Sequence, residues 1–115
     1  MIEAGYRRGL ELIEDGEYFA AHEVVEDVWR AAQQEERDFF QGLVHVAVAW
    51  YQAERGNRRG CEGQLEKARR RLAPYAPVHR GLDVADLLAQ VEAASCLYPD
   101  LPRPRLRRGP TDSRR

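Results

Sequence analysis

A glycine turn followed by an amphipathic helix decides the fold, and it reads Gly16-Glu17-Tyr18-Phe19-Ala20-Ala21-His22-Glu23-Val24-Val25-Glu26-Asp27-Val28-Trp29. Apolar residues recur here at steps of three and four, the spacing that places side chains on one buried helical face. That face consists of Ala21, Val24, Val25 and Val28. A second stripe along its edge consists of His22, Glu26 and Trp29. The stretch therefore predicts a helix that packs into a core and carries polar side chains beside it.

Helical spacing continues through most of the chain and predicts an all-α fold, a compact bundle of about five helices built from two antiparallel hairpins. The predicted helices span roughly 2–15, 17–33, 37–55, 58–72 and 84–95. Gly16 and Gly56 end the first and third helices, since glycine tolerates positive φ, and Asn57 is the expected N-cap of the fourth. Gly5 and Gly9 allow another helix to approach the first closely. The third helix is the most apolar and is expected to be central, with a core face of Phe40, Leu43, Val44, Ala47, Val48 and Tyr51.

Length and composition favour one soluble globular domain. The chain has 115 residues, of which 43% are hydrophobic and 32% are charged. It contains no long uncharged run and opens with no signal peptide, so we expect a cytoplasmic protein without membrane contact. Cys61 and Cys96 lie far apart and are expected to be reduced thiols. The predicted domain covers residues 1–98, and residues 99–115 form an Arg/Pro-rich tail that is expected to be disordered.

The net charge of −1 conceals an uneven distribution of charged residues. Residues 1–35 carry nine acidic side chains and three arginines, whereas residues 54–80 carry eight Lys or Arg and three acidic side chains. The basic run on the fourth helix has no aromatic residues for base stacking and no recognition-helix motif, so nucleic acid is not an expected partner. The expected partner is a second copy of the chain, in a homo-oligomer. An exposed Trp50 would mark its interface, although packing of Trp50 in the core is favoured.

Pairing of the second and third helices gathers a polar cluster. The third helix carries a polar stripe with four-residue spacing, and in an antiparallel hairpin this stripe faces the polar edge of the second helix. The predicted polar cluster or ligand-binding site consists of His22, Glu23, Glu26, Trp29, Arg37, Gln41 and His45. In the favoured interpretation the cluster is structural. Arg37 then pairs with Glu26 or Glu23 and Trp29 covers the pair, because a buried charge persists only when it is paired and hydrogen-bonded.

Two other interpretations give the cluster a ligand. In one, Arg37 anchors a small anionic or polar ligand of unknown identity. In the other, the protein is a metal-binding protein or metal-dependent hydrolase, with His22, Glu26 and His45 as ligands and Glu23 as the base. The pattern is His-Glu-x-x-Glu rather than the His-Glu-x-x-His of zinc proteases, and Arg37 would oppose a cation. No nucleophile turn or glycine-rich phosphate loop is present, so we expect a non-catalytic interaction or self-associating module without a cofactor.

Three blocks of sequence occur in order within roughly residues 5–72. They are Gly16-x-Tyr18-x-x-Ala21-His22-Glu23-x-x-Glu26-x-x-Trp29-Arg30, Arg37-x-x-x-Gln41-Gly42-Leu43-Val44-His45-x-Ala47 and Arg55-Gly56-Asn57-x-x-Gly60. Together they resemble the family called domain of unknown function 309, a set of small all-helical bacterial and archaeal proteins. The resemblance implies an all-helical fold and implies that the His-Glu-x-x-Glu and Arg/Gln/Gly elements belong together, but it implies no reaction. The chain departs from the family with His45 in place of a common glutamine and Cys61 in place of a small residue such as alanine.

Overall fold

Five amphipathic helices account for most of the chain, as the helical spacing predicts. The computed structural model describes residues 2–109. Its helices are α1 (Ile2–Glu14), α2 (Tyr18–Ala31), α3 (Gln34–Glu54), α4 (Arg58–Leu72) and α5 (Val84–Leu97). The all-α prediction is confirmed. α3 begins earlier than predicted, since Glu35 and Glu36 lie in its first turn, where the helix dipole stabilises negative charge. No helix within residues 2–109 has the length and apolar character needed to cross a membrane.

Two glycine turns of the same kind connect α1 to α2 and α3 to α4. Gly16 has φ of 80° and Gly56 has φ of 76°, a conformation that costs a residue with a Cβ about 1–2 kcal/mol. In each turn the amide of the residue after the glycine donates to a carbonyl five residues earlier, at 2.9 Å. The side chain of Asn57 caps α4 by accepting from the Gly60 amide at 2.9 Å. These turns make α1–α2 and α3–α4 the two predicted hairpins.

Glycine lets α1 lie directly on α2. A Cβ at Gly5 would come within 2.7 Å of Val28 Cγ2, and a Cβ at Gly9 would collide with Val25. Val25 and Val28 are buried on the predicted core face of α2. The close approach predicted for these two glycines is therefore present in the fold.

α3 lies between α2 and α4 and packs against both, in the central position predicted from its sequence. Tyr6 of α1 also packs on α3, with its ring 5.9 Å from Phe39 and 5.8 Å from Phe40. Because neighbours cover α3 from several directions, its buried face is wider than predicted and includes Phe39, Val46 and Trp50. The predicted core residues that are only half-buried are Val44, Val48 and Tyr51.

A short β-hairpin between α4 and α5 was not expected from the sequence. Strands β1 (Val78–His79) and β2 (Leu82–Asp83) are antiparallel, and Val78 pairs with Asp83. The two residues between them, Arg80 and Gly81, have φ of 50° and 76°. Positive φ at both central residues is typical of the tightest hairpin turns. Two strand residues on each side give too little alternating pattern to distinguish this hairpin from a loop.

Residues 99–109 contain no helix, as the prolines predict, but they lie along the bundle. The indole Nε1 of Trp50 donates to the Pro102 carbonyl at 2.8 Å, and Trp50 is only 2% exposed, which confirms its core packing. Backbone hydrogen bonds join Arg107 to Asp83 at 2.9 Å and Gly109 to Gly81 at 2.8 Å. The described part of the predicted tail is therefore packed on the helices, because it pairs with the hairpin and covers Trp50. The rest of the predicted tail, residues 110–115, lies outside the described residues.

Candidate functional site

The polar edge between α2 and α3 brings some of the predicted cluster together. His22 Nε2 lies 3.8 Å from Glu26 Oε1, and the guanidinium of Arg37 lies over the Trp29 ring, 4.5 Å from its centroid. No carboxylate oxygen of residues 2–109 lies within 4.0 Å of Arg37. Glu26 instead approaches Arg30 of its own helix at 3.5 Å. The predicted pairing of Arg37 with Glu26 or Glu23 is thus not formed, because Arg37 stacks on an aromatic ring instead.

His45 turns towards α4 rather than α2. Its Nδ1 lies 2.7 Å from Gln64 Oε1, so Nδ1–H donates to this amide oxygen. Burial lowers the pKa of His45, an effect that the Gln64 hydrogen bond opposes and the positive charges of Lys67 and Arg71 reinforce. The ring is therefore neutral at pH 7, and its other nitrogen, Nε2, is buried without a partner among residues 2–109.

The remaining members of the predicted cluster are dispersed along the surface. Glu23 is exposed and Gln41 is half-buried, and neither makes an ion pair or a side-chain hydrogen bond within the described chain. The proposed metal ligands His22, Glu26 and His45 do not converge, since His45 faces the other neighbouring helix. Across residues 2–109, no group of three or more His, Cys, Asp or Glu side chains is arranged to hold a metal ion.

Aromatic, charged and half-buried apolar side chains lie on the solvent-facing sides of α2, α3 and α4, and we call this set the outer face. It consists of Phe19, Glu23, Glu26, Trp29, Arg37, Gln41, Val44, Val48, Lys67 and Arg70. Phe19 is 52% exposed, and its ring lies 5.6 Å from that of Tyr51 and 5.4 Å from that of His22. These three rings border a small, mostly apolar cavity of about 120 Å³. The outer face therefore combines exposed aromatic surface with flanking charges.

A second polar network, which the sequence did not reveal, surrounds Arg80. Its Nε donates to Glu36 at 2.7 Å and its Nη1 donates to Glu3 at 3.0 Å. His79 Nε2 lies 3.0 Å from the same Glu36 carboxylate. The Arg80 side chain is 28% exposed and that of Glu36 is 23% exposed. We call Glu3, Glu36, His79 and Arg80 the Arg80 network; it connects α1, the start of α3 and the β-hairpin.

Electrostatics within the Arg80 network favour charged Glu36. Partial burial would raise the pKa of Glu36, but hydrogen bonds from Arg80 and His79 outweigh it and hold the pKa below its ordinary value of 4.5. The His79 ring packs on two aromatic rings, 4.6 Å from Phe39 and 4.7 Å from Tyr75. The network is thus a paired, aromatic-flanked cluster with a stabilising role. Its one signal in the sequence is the glycine of Arg80-Gly81, which indicates a turn but does not identify the partners of Arg80.

Comparison with known families assigns the chain to a protein family. The family model described as "Domain of unknown function (DUF309)" matches residues 6–63, which run from α1 into α4. The chain belongs to this family. An uncharacterized protein of Aquifex aeolicus is 26% identical over 96 residues, covering 76% of this chain. The chain spans 29% of the length of that relative. The family match includes the α2 and α3 parts of the outer face and Glu36, whereas the hairpin that carries Arg80 lies beyond it.

Proposed function

We propose that the protein is a non-catalytic interaction module and that it pairs with a second copy of itself through the outer face. The observations that carry this proposal are the exposure of Phe19 at the start of α2 and the stacking of Arg37 on half-buried Trp29 at its end. Aromatic residues and arginine are the types most enriched in protein interfaces and in their energetic hot spots.

The contacts of the predicted polar cluster support a role in binding a partner more than a role as a buried structural network. Arg37 and Gln41 form no polar bond with α2 within residues 2–109, so their donors remain available to a second chain. Trp29 and Val44 pack on the core with one side and remain half-buried. Apolar side chains with one open side, rimmed by polar groups, are the pattern expected of an interaction surface.

Charge complementarity supports another copy of the chain as the partner. The α2 edge of the outer face carries Glu23 and Glu26, and the α4 edge carries Lys67 and Arg70. A two-fold axis parallel to α3 would lay the acidic edge of each copy on the basic edge of the other. Both halves of such an interface are identical, which is the geometry of most protein dimers. Complementary charges would also fix the register of α3 against α3.

The family assignment and the cysteines agree with this proposal. The Aquifex relative contains the matched region within a longer chain, as expected for an interaction module. Cys61 and Cys96 are free thiols, which supports the further proposal that the protein works in the reducing environment of the cytoplasm.

Sedimentation equilibrium of the full chain tests the pairing. The expected result is a reversible species with twice the 13.2 kDa chain mass. Phe19→Glu should weaken self-association at least about 30-fold, the scale of a hot-spot residue, and leave the monomer folded because Phe19 is exposed. Leu97→Glu is the matched control, since Leu97 is 45% exposed but lies on α5 outside the outer face. A monomer at millimolar concentration, or equal effects of the two changes, would refute the proposal.

A charge exchange tests the orientation of the two copies. Glu23→Lys alone and Lys67→Glu alone should each weaken pairing, because each places like charges on facing edges. The double variant should recover most of the lost affinity, since both edges are then reversed together. Additive weakening in the double variant would exclude the proposed two-fold axis. All of these variants should keep the helical circular dichroism of the parent protein.

A further inference from the structure

A second concave region lies away from the outer face. A cleft of about 330 Å³ opens between α1, the Arg80-Gly81 turn and residues 106–108. One stripe of α1 forms its first wall, and the C-terminal segment that pairs with the hairpin at Leu82 forms another. No residue of the outer face lines it. The cleft is large enough for a small organic molecule.

The carboxylates of the cleft already have partners. Glu3 accepts from Arg7 at 3.2 Å and from Arg80 at 3.0 Å. Glu14 accepts from the backbone amide of Leu106 at 2.9 Å, a bond that holds the C-terminal segment against α1. Glu11 is paired with Arg8, which is not a lining residue, at 3.2 Å. Arginines therefore neutralise Glu3 and Glu11, whereas Glu14 keeps its negative charge and is hydrogen-bonded only to a backbone amide.

Two arginines of the same cleft are not neutralised in this way. Within the described part of the chain, Arg108 has no carboxylate oxygen within 4.0 Å, and Arg107 reaches only Asp86, at 3.8 Å. Both side chains line the opening. Burial raises the pKa of Tyr6 on the floor to about 12, so its hydroxyl is neutral and opposes no anion. Four arginines and three glutamates line the cleft, so the formal charge of its lining is positive by one.

The apolar residues of the cleft determine which chemical groups the rest of the ligand can have. Leu10, Leu82 and Leu106 contribute carbon surface beside the arginines. Guanidinium groups bind phosphate and carboxylate oxygens with paired hydrogen bonds. We infer that the cleft is a binding site for a small organic oxyanion, a phosphate or a carboxylate, whose charged group meets Arg107 and Arg108 and whose body contacts the leucines.

Backbone NMR of the ¹⁵N-labelled full chain tests this site with two probes, phenyl phosphate and benzoate, at constant ionic strength. At least one probe should give saturable shifts at the amides of Gly81 and Leu82. The probe that binds more tightly identifies the class of oxyanion. Absence of saturable shifts with both probes would overturn the inference, whatever the oligomeric state of the protein.

Matched arginine substitutions distinguish specific binding in the cleft from general electrostatic attraction of the anion to the protein. Arg108→Gln should weaken binding roughly tenfold or more, the usual scale for losing a hydrogen bond to a charged group. Arg59→Gln removes the same charge from an exposed position on α4 outside the cleft, and it should leave affinity unchanged. Equal weakening by both would overturn the site. Dispersed amide signals verify folding, and Arg107→Gln replaces Arg108→Gln in the comparison if that variant is unfolded.

Discussion

The polar edge between α2 and α3 and the Arg80 network use the same residue types, yet they are organised differently. Along the α2–α3 edge, Arg37 stacks on Trp29 and the nearest His–Glu approach is 3.8 Å within one helix. In the Arg80 network, one guanidinium makes hydrogen bonds of 2.7 and 3.0 Å to carboxylates 44 and 77 residues away. Within residues 2–109, the first region leaves Glu23, Arg37 and Gln41 without polar partners, whereas the second region uses its charged groups to join three elements.

This difference separates two uses of charged side chains. Ion pairs at partly buried positions connect distant segments, and removing one member destabilises the fold because it leaves the other unpaired. Charged groups that lie beside exposed aromatic rings contribute little to folding and remain available to a partner. The number of charged residues that lie close together in the sequence does not distinguish these uses. The α2–α3 edge has more of them than the Arg80 network, yet it is the less paired of the two.

Replacing Arg80 should have the largest effect on stability. Arg80→Ala removes both long-range hydrogen bonds and leaves Glu36 without its strongest partner, so we expect a loss of about 2–3 kcal/mol in the free energy of unfolding. Arg80→Gly should recover roughly 1 kcal/mol of this loss, because glycine is unstrained at φ of 50°. Urea unfolding followed by circular dichroism measures both. A loss below about 0.5 kcal/mol for Arg80→Ala would show that the network does not stabilise the fold.

Acid should weaken the Arg80 network through Glu36. The pKa of Glu36 is lower in the folded protein than its ordinary value of 4.5, so the unfolded chain binds this proton more tightly. Its contribution is fully present above pH 4.5 and is lost as the pH falls through the folded-state pKa. Glu36→Gln should therefore cost about 1–2 kcal/mol at pH 7 and progressively less in acid. Unfolding free energies of both proteins across pH 2–7 (roughly the range of carboxylate titration) measure this; a constant difference would contradict it.

Replacing Arg37 should have the smallest effect. Arg37→Ala removes a cation–π contact at a partly exposed site, which is worth about 0.5–1 kcal/mol, and breaks no ion pair within residues 2–109. The same urea titration gives the value for the isolated chain at micromolar concentration. If Arg37→Ala cost as much as Arg80→Ala, the α2–α3 edge would be a structural cluster after all and the contrast between the two regions would disappear.

Local signals in the sequence predicted the helices well. α4 matches its predicted span of 58–72, because Asn57 supplies a cap and Pro74 follows the last core leucine. The start of α3 was placed too late, since polar residues at positions 34–36 have the composition of a loop as well as that of an acidic first turn. The predicted face of α3 was too narrow for a related reason. The spacing of apolar residues identifies one buried stripe on a helix, but it does not show how many neighbouring elements pack around a central helix.

The sequence predicted that the polar stripes of α2 and α3 lie on neighbouring helices, but it did not predict which side chains meet. The α2–α3 stripes do lie on neighbouring helices, and Arg37 does meet Trp29. His45 meets Gln64 instead of His22, because a side chain between two flanking helices can turn to either, and spacing along α3 does not specify which. The packing of residues 99–109 could not be predicted from the sequence either, because it depends on contacts with Trp50 and with a β-hairpin that has only two residues per strand.

The sequence by itself determined the five helices, their glycine turns, the pairing of α1 with α2 and of α3 with α4, and the family. It also placed His22, Glu26, Trp29 and Arg37 along the edge between α2 and α3. These features follow from interactions between residues a few positions apart, where a 3.6-residue period fixes the neighbours. Only the tertiary structure decided which polar groups pair, that Arg80 joins α1, α3 and the hairpin, and that a cleft forms against the C-terminal segment. Those outcomes depend on contacts between residues as many as 92 positions apart, which are set by how the helices stack.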